Sequence, residues 1–384
     1  MAKEKVLTKK QKRLRRRRRR RRILFGLEIV LLLVLVGGLF VIAKMGKMNF
    51  TELNFENIGI NSEVADNQVM KGYTTIGLVG LDNREGSLKQ GNSDTMIIAS
   101  INNDTKKVKL VSVYRDTYLR VGEDSEGNGK YDKANWAYAH GGSEQFLSML
   151  NTNLDLNVTD FLSVDFNAVA ETAELLGGID VELKKEEIVH LNNYCVETSE
   201  VTGMDYEPLD EVPGEHHLNG VQTVAYARIR YTAGNDMRRA ARQREVIYKL
   251  VEKAKSSNLS TLNKIVDKVF PMIYTSLSKA EILSMGMNML SYEIEDQAGF
   301  PFDHLLGENV KNALDCDCVL PVTLESNVIK LHEFLYPEDS YVPSEEVKAY
   351  SQRIVDKSGY GEESRLTVSE DGNLDSYRED PGGN

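Results

Sequence analysis

The stretch FLSVDFNAVAETAELLGGIDVEL, residues 161 to 183, decides the fold class. FLSVDF (161–166) is rich in β-branched and aromatic side chains and reads as a strand. NAVAETAELLGG (167–178) carries apolar residues at 169, 173 and 176 and stops on Gly177-Gly178, the pattern of a helix with a glycine end. IDVEL (179–183) is strand-like again. Strand, helix and strand in immediate succession predict a layered α/β/α domain, with helices on the faces of a central mixed sheet.

On the N-terminal side stand three more apolar runs of strand length: TTIGLVGL (74–81), DTMIIASI (94–101) and VKLVSV (108–113). Asn102-Asn103-Asp104 supplies the turn between the last two. Run up, down and up, these strands bring Asp82, Asp94 and Arg115-Asp116 to one sheet end, where the loops of α/β sheets bind ligands. Taken singly, Asp82 or Asp94 is a turn or cap residue. Their convergence is what points to a site. The connecting loop DNREGSLKQGNS (82–93) contains Gly86 and Gly91 and can wrap a ligand.

On the C-terminal side the richest stretch is AYARIRYTAGNDMRRAARQR (225–244), with arginines at 228, 230, 238, 239, 242 and 244 and one acid, Asp236. A guanidinium never deprotonates, and its planar fork fits two phosphate oxygens at once. Crowded arginines repel unless an anion arrives. The plain alternative is a solvated helix face, which ordinarily interleaves carboxylates; these are missing here. Asn219 with Gln222 predicts a capped short helix ending near Ala227. Arg228 and Arg230 in extended chain would then aim the same way. A helix over about 237–255 puts Arg238 and Arg239 on shared faces with Arg242.

Elsewhere, Ser143 after Gly141-Gly142 predicts a helix over about 144–152. Residues 260–273, 278–290 and 324–335 read as packing helices, and 184–215 as an irregular excursion. The globular domain is expected over 72–336. Residues 44–71 read as a polar spacer, and 337–384 as an acidic disordered tail.

The net charge of −11 is unevenly placed: residues 1–47 carry 16 basic and 2 acidic side chains, leaving the rest at −25. Ile23–Ala43 is a 21-residue apolar run with one charge, Glu28, long enough to span a bilayer as a helix. No small-residue cleavage site follows, so an uncleaved anchor is expected. Arg13 and Arg15–Arg22 then hold 1–22 in the cytoplasm, placing everything after Lys44 outside. That role displaces nucleic acid as the partner of the arginine run, and the cytoplasmic membrane takes its place. Cys195, Cys316 and Cys318 are too few for a disulfide scaffold, though one bridge from Cys195 to either of the others is allowed. The six histidines form no zinc spacing.

Two carboxylates beside arginines suit a hard divalent cation sharing a phosphate ligand. Cation plus guanidinium clamps is the usual equipment for phosphoryl transfer or pyrophosphate cleavage. The strings LDNRE (81–85), SDT (93–95), SVYRDTYL (112–119), DKANWAYAHGG (132–142), LLGGIDVEL (175–183), LNGVQTVAYARIRY (218–231) and NDMRRAARQR (235–244) together resemble the LytR-CpsA-Psr family. The resemblance implies an extracytoplasmic transferase of Gram-positive bacteria, dependent on magnesium or manganese. It would move an anionic glycopolymer, wall teichoic acid or capsule, from a polyprenyl-pyrophosphate carrier to peptidoglycan. By motif position Asp82 and Asp94 resemble metal ligands. Arg84, Arg115, Arg228, Arg230 and Arg239 resemble pyrophosphate contacts, while Arg242 and Gln243 match the terminal Arg-Gln. Arg115, Asp236 and Arg239 fall at catalytic positions, with Asp236 orienting arginines or taking the acceptor proton. Lys133 and Asn135 would brace the site; Arg238, Arg244 and Trp136 are surface or packing residues. The family's fold also implies an apolar tunnel for the lipid between sheet and helices. Asn92 before SDT and Tyr114 before Arg115 depart from the arginine and proline usual there. A lipid or glycan-binding module, a pyrophosphatase and a membrane-bound regulator are the other readings.

Overall fold

The computed structural model describes residues 44, 46–82, 88–230 and 235–364. The expected anchor 23–43 and the segment 1–22 lie outside the described residues, as does 365–384. Among the described residues no helix is long and apolar enough to cross a membrane.

In chain order the principal strands are β1 (Asn49–Phe50), β2 (Tyr73–Asp82), β3 (Asn92–Asn102), β4 (Lys107–Val113), β5 (Tyr118–Glu123), β6 (Gly129–Lys133), β7 (Asp160–Asp165), β8 (Ile179–Leu183), β9 (Gly214–Leu218), β10 (Tyr274–Thr275) and β11 (Glu293–Phe300). The principal helices are α1 (Trp136–Leu154), α2 (Phe166–Leu175), α3 (Lys185–Thr202), α4 (Gly220–Arg228), α5 (Asn235–Ser256), α6 (Leu259–Lys268), α7 (Lys279–Met287), α8 (Leu324–Leu335) and α9 (Glu345–Ser358).

Seven strands form a mixed sheet in the order β1-β10-β7-β2-β3-β4-β11. β2, β3 and β4 are antiparallel neighbours, as the up-down-up reading requires, and β7 lies parallel to β2. Alternation along β3 feeds both faces. Met96 and Ile98 share a core with Phe146 and Leu147 of α1, while Ile97 and Ala99 share one with Ile247 of α5. α1 begins earlier than its expected start near 144, and it kinks at Gly142, whose φ of 63° suits glycine alone.

Several boundaries differ from expectation, each for a packing reason. β8 does not join the central sheet. It pairs with β9 as a separate antiparallel ribbon, because Ile179, Val181 and Leu183 bury into a second core with Leu191, Cys195 and Leu218. Most of the supposed excursion 184–215 is the helix α3, whose Ile188, Leu191, Cys195 and Thr198 form a buried stripe at helical spacing. The supposed spacer belongs to the domain: β1 pairs with β10, and Ile58, Val64 and Met70 enter the main core. It shows no period because it is built of single turns, Phe55–Ile58 and Ser62–Ala65. Disorder from residue 337 does not hold for α9, which Ser344 caps and whose Val347 and Ile354 are buried in the main core. All three cysteines are free thiols, and Cys195 sits in the ribbon's core while Cys318 sits in the main one.

Candidate functional site

Between the sheet and helices α2 to α5 lies a cavity of about 350 Å³. Its floor is Leu78 and Gly80 of β2, Ile97 of β3 and Leu162 and Val164 of β7. Its roof is Val169 (α2), Tyr194 (α3), Val224 and Ala227 (α4) and Val246, Ile247 and Leu250 (α5). Asp82, Asp94, Arg228, Arg230, Arg239 and Gln243 also line it. It is an apolar chamber with charged groups in its wall, the form of most small-molecule sites.

Local backbone geometry places the two aspartates. Asp82 follows Leu78 and Gly80 on the cavity side of β2 at two-residue spacing. Asp94 arrives there by a β-bulge: Gly80 pairs with Thr95 and Leu81 with Ser93, leaving Asp94 as the extra residue. In a regular strand Asp94 and Thr95 would face opposite ways. The bulge turns both to the cavity. Arg115, just past β4, donates from Nη1 to Asp94 Oδ1 at 2.5 Å, and its Nε lies 3.4 Å from Asp116 Oδ2. Lys133 Nζ stands 3.1 Å from the other oxygen of Asp116, bracing the pair from behind. The backbone N–H of Asn135 donates to the Arg115 carbonyl at 3.0 Å. Burial works against the charge of Arg115, but Asp94 and Asp116 outweigh it and hold its pKa above the ordinary value.

Asp236 opens the first turn of α5 between two guanidinium groups: Arg230 Nε at 3.1 Å and Arg239 Nη2 at 3.2 Å. Arg239 Nη2 also donates to the Asp94 carbonyl at 3.3 Å, which ties the arginine stretch to the aspartate end of the sheet. Burial pushes the Arg239 pKa down, with Asp236 opposing. Arg228 is the last residue of α4 rather than part of an extended segment, and Ile229 turns the chain before Arg230. Its fork donates to Glu197 Oε2 at 2.7 Å and Thr198 Oγ1 at 3.0 Å, and it lies 4.7 Å from the ring centre of Phe166.

Asp82, Asp94, Arg115, Arg228, Arg230, Asp236, Arg239 and Gln243 are thus brought to one region. Arg242 is not. Only 2% exposed, it donates to Glu187 Oε1 at 2.7 Å and to the Ile229 carbonyl at 3.1 Å, so it braces the segment that presents Arg230. Burial raises the Glu187 pKa, but the Lys184 backbone N–H and Arg242 outweigh it and hold that carboxylate low. Arg84 lies outside the described residues. Arg244 is buried against the Ser112 hydroxyl, a packing role as read. Tyr194, Glu197 and Phe166 escaped the sequence reading, although the apolar stripe at 188, 191 and 195 was there to reveal α3.

The profile of the LytR_cpsA_psr family matches residues 45–304, the span holding every group just described. The chain belongs to the LytR_cpsA_psr family. One relative is the polyisoprenyl-teichoic acid–peptidoglycan teichoic acid transferase TagU of Enterococcus faecalis, 31% identical over 278 residues, covering 70% of this chain and 82% of that one. TagV of Bacillus subtilis, bearing the same transferase name, is 27% identical over 59% of this chain and 55% of its own length. The crystal structure of TagV superposes with a TM-score of 0.52 at 24% identity over 71% of this chain and 99% of that one. A Streptococcus agalactiae crystal structure gives a TM-score of 0.58, also at 24% identity, over 73% and 93%. These two structures share the LytR_cpsA_psr fold with this chain.

Proposed function

We propose that this chain is a phosphotransferase moving an anionic glycopolymer from a polyprenyl-pyrophosphate carrier to peptidoglycan, outside the membrane. The observation that carries the reading is a single cavity whose apolar floor and roof suit an isoprenoid chain and whose charged wall suits a pyrophosphate. The transferase names of its relatives support the same chemistry. An acceptor hydroxyl attacks the phosphorus that bears the polymer, and the bond from that phosphorus to the bridging oxygen breaks. The products are a polymer–peptidoglycan phosphodiester, polyprenyl phosphate and the hydroxyl's proton. Arg228, Arg230 and Arg239 would clamp the phosphate oxygens, Arg115 would hold Asp94, and Asp236 would orient Arg230 and Arg239.

Charge supports a divalent cation at Asp82 and Asp94. Four guanidinium groups (Arg115, Arg228, Arg230, Arg239) and Lys133 stand among five carboxylates (Asp82, Asp94, Asp116, Asp236, Glu197), so their net charge is zero. A pyrophosphate diester carries two negative charges, which magnesium or manganese at the two aspartates would balance. Among the described residues no cluster of three or more ligating side chains exists. Water and phosphate oxygens would therefore fill the rest of the shell, as suits magnesium. When bound, the cation neutralises charge developing on the phosphoryl oxygens. The anchor expected at 23–43, with arginines on its cytoplasmic flank, supports placing the domain on the outer face.

The test is the purified full chain given lipid-pyrophosphate-linked glycan, a peptidoglycan oligomer and magnesium. Product that requires both substrates supports the transferase. Cleavage without acceptor would instead mark a pyrophosphatase, and binding without turnover a carrier module.

A further inference from the structure

The face of α7 that points away from the domain carries an apolar stripe unrelated to the cavity. Leu283, Met287 and Leu290 recur at spacings of four and three, and they are 40%, 74% and 73% exposed. Isolated exposed apolar residues are ordinary, but three at these spacings across α7 and the single turn that follows it, Met289–Ser291, form a patch. The Ser278 capping box fixes where that helix begins, and none of its residues is buried. Its inner edge rests on the start of the domain: Ile282 packs in the cluster of Met48 and Phe50, and Lys279 Nζ lies 5.5 Å from the Phe50 ring centre.

That neighbour is firmly placed. Asn49 N–H donates to the Ile273 carbonyl and Thr51 N–H to that of Thr275, both at 3.0 Å, locking β1 onto the sheet edge. Ala43, the last residue of the apolar 21-mer, precedes Met48 by five residues. Fully extended, five residues reach roughly 18 Å. A domain tied this closely to a bilayer must keep the corner formed by β1 and α7 near the headgroups, whose layer is itself about 5–7 Å deep. Lys279 brings positive charge to this corner, and Lys44 and Lys47 lie in the sequence that joins it to the apolar run, whereas the chain beyond residue 47 is strongly acidic overall.

We infer that the outer face of α7 and the turn after it, through Leu283, Met287 and Leu290, docks on the outer leaflet of the bilayer that holds the anchor. The exposed apolar side chains sit at the headgroup–acyl boundary, and the neighbouring lysines meet lipid phosphates. The inference rests on residues 23–43 being a membrane anchor, and it is independent of the chemistry in the cavity.

The experiment uses the full chain reconstituted in phosphatidylcholine–phosphatidylglycerol vesicles containing acyl-brominated lipid. The chain has one tryptophan, Trp136, so Met287→Trp adds a single reporter. The expected result is blue-shifted added emission that brominated lipid quenches at least twofold more than the emission of the parent. A Tyr248→Trp control on α5 should resist quenching. Water-like, unquenched emission from Met287→Trp in chain that floats with vesicles would overturn docking while leaving the anchor intact. Chain that fails to float would remove the anchor, and docking with it. Self-association that disappears in Leu290→Glu would assign the stripe to a second copy and equally overturn the inference.

Discussion

Replacing Asp94 by asparagine separates the two duties assigned to this carboxylate. Asparagine keeps the shape and an acceptor oxygen, so the contact from Arg115 Nη1, now 2.5 Å, survives as an ordinary hydrogen bond. The side chains of Arg115 and Asp94 are 15% and 24% exposed, so solvent screens their pairing only in part. A charge-assisted bond contributes about 1.5–3 kcal/mol and a neutral one about 0.5–1.5, so the loss in folding stability is about 1 kcal/mol. For a domain of this size that lowers the melting temperature by about 1–2 °C. The effect on binding of the proposed cation should be far larger, because one of the two carboxylates proposed to hold it loses its charge. Half-saturating magnesium should rise at least tenfold, and transfer at fixed low magnesium should fall by about 10² or more. The assay is initial rates of polymer transfer across a magnesium titration, beside a thermal melt of the same preparation. An unchanged magnesium dependence at normal rate would refute the assignment of Asp94 as a ligand. A chain unfolded at 25 °C would refute the stability estimate.

Val246→Trp fills the chamber from the α5 side; affinity for long-chain lipid-linked substrate should drop at least tenfold, while a short-chain analogue is processed at near-parental rate. Steady-state kinetics on the two substrates will show whether that split exists. Burial depresses the His332 pKa from 6.5 to about 4, and its Nε2 lies 2.9 Å from the Leu154 carbonyl. A depressed histidine is neutral in the folded state while its unfolded counterpart takes up protons. Its stabilising contribution is therefore full above pH 6.5 and lost as pH falls towards 4, by about 3 kcal/mol. Urea melts of the parent and His332→Gln should diverge across that window, and parallel profiles would discard the idea. Burial holds the Cys195 thiol up at about 12, whereas a hydrogen bond from Cys318 lowers the half-buried Cys316 despite burial and raises Cys318. Alkylation of native protein followed by mass spectrometry should modify Cys316 first and Cys195 only on unfolding.

Much of the fold was legible because its signals are local. The apolar runs TTIGLVGL, DTMIIASI and VKLVSV located β2 to β4, and the up-down-up order supposed for them is the one found. Asn219 and Gln222 announced α4, and both halves of that capping box are formed. What was not legible depends on partners far away in sequence. Residues 179–183 look like any sheet strand, and only the partner segment 214–218 reveals a separate ribbon. A helical wheel puts Arg238, Arg239 and Arg242 near one another but cannot say which meets the cavity. Arg242 turned inward because Glu187, on a helix the sequence reading passed over, waits for it there. The polar run 44–71 and the chain after Tyr336 were read by composition, which misses segments whose few apolar residues all find the core.

A single surplus residue separates a β3 that turns Asp94 away from the cavity from the one that presents it there. From Met96 to Ile101 the strand keeps strict register with β2, serving two hydrophobic layers that tolerate no slip. At its first residues that constraint is relaxed, and the slack delivers a carboxylate to a wall it would otherwise turn its back on. A carboxylate can therefore be brought to this edge or withdrawn from it by inserting or removing one codon near Asp94, with both layers beneath keeping their register.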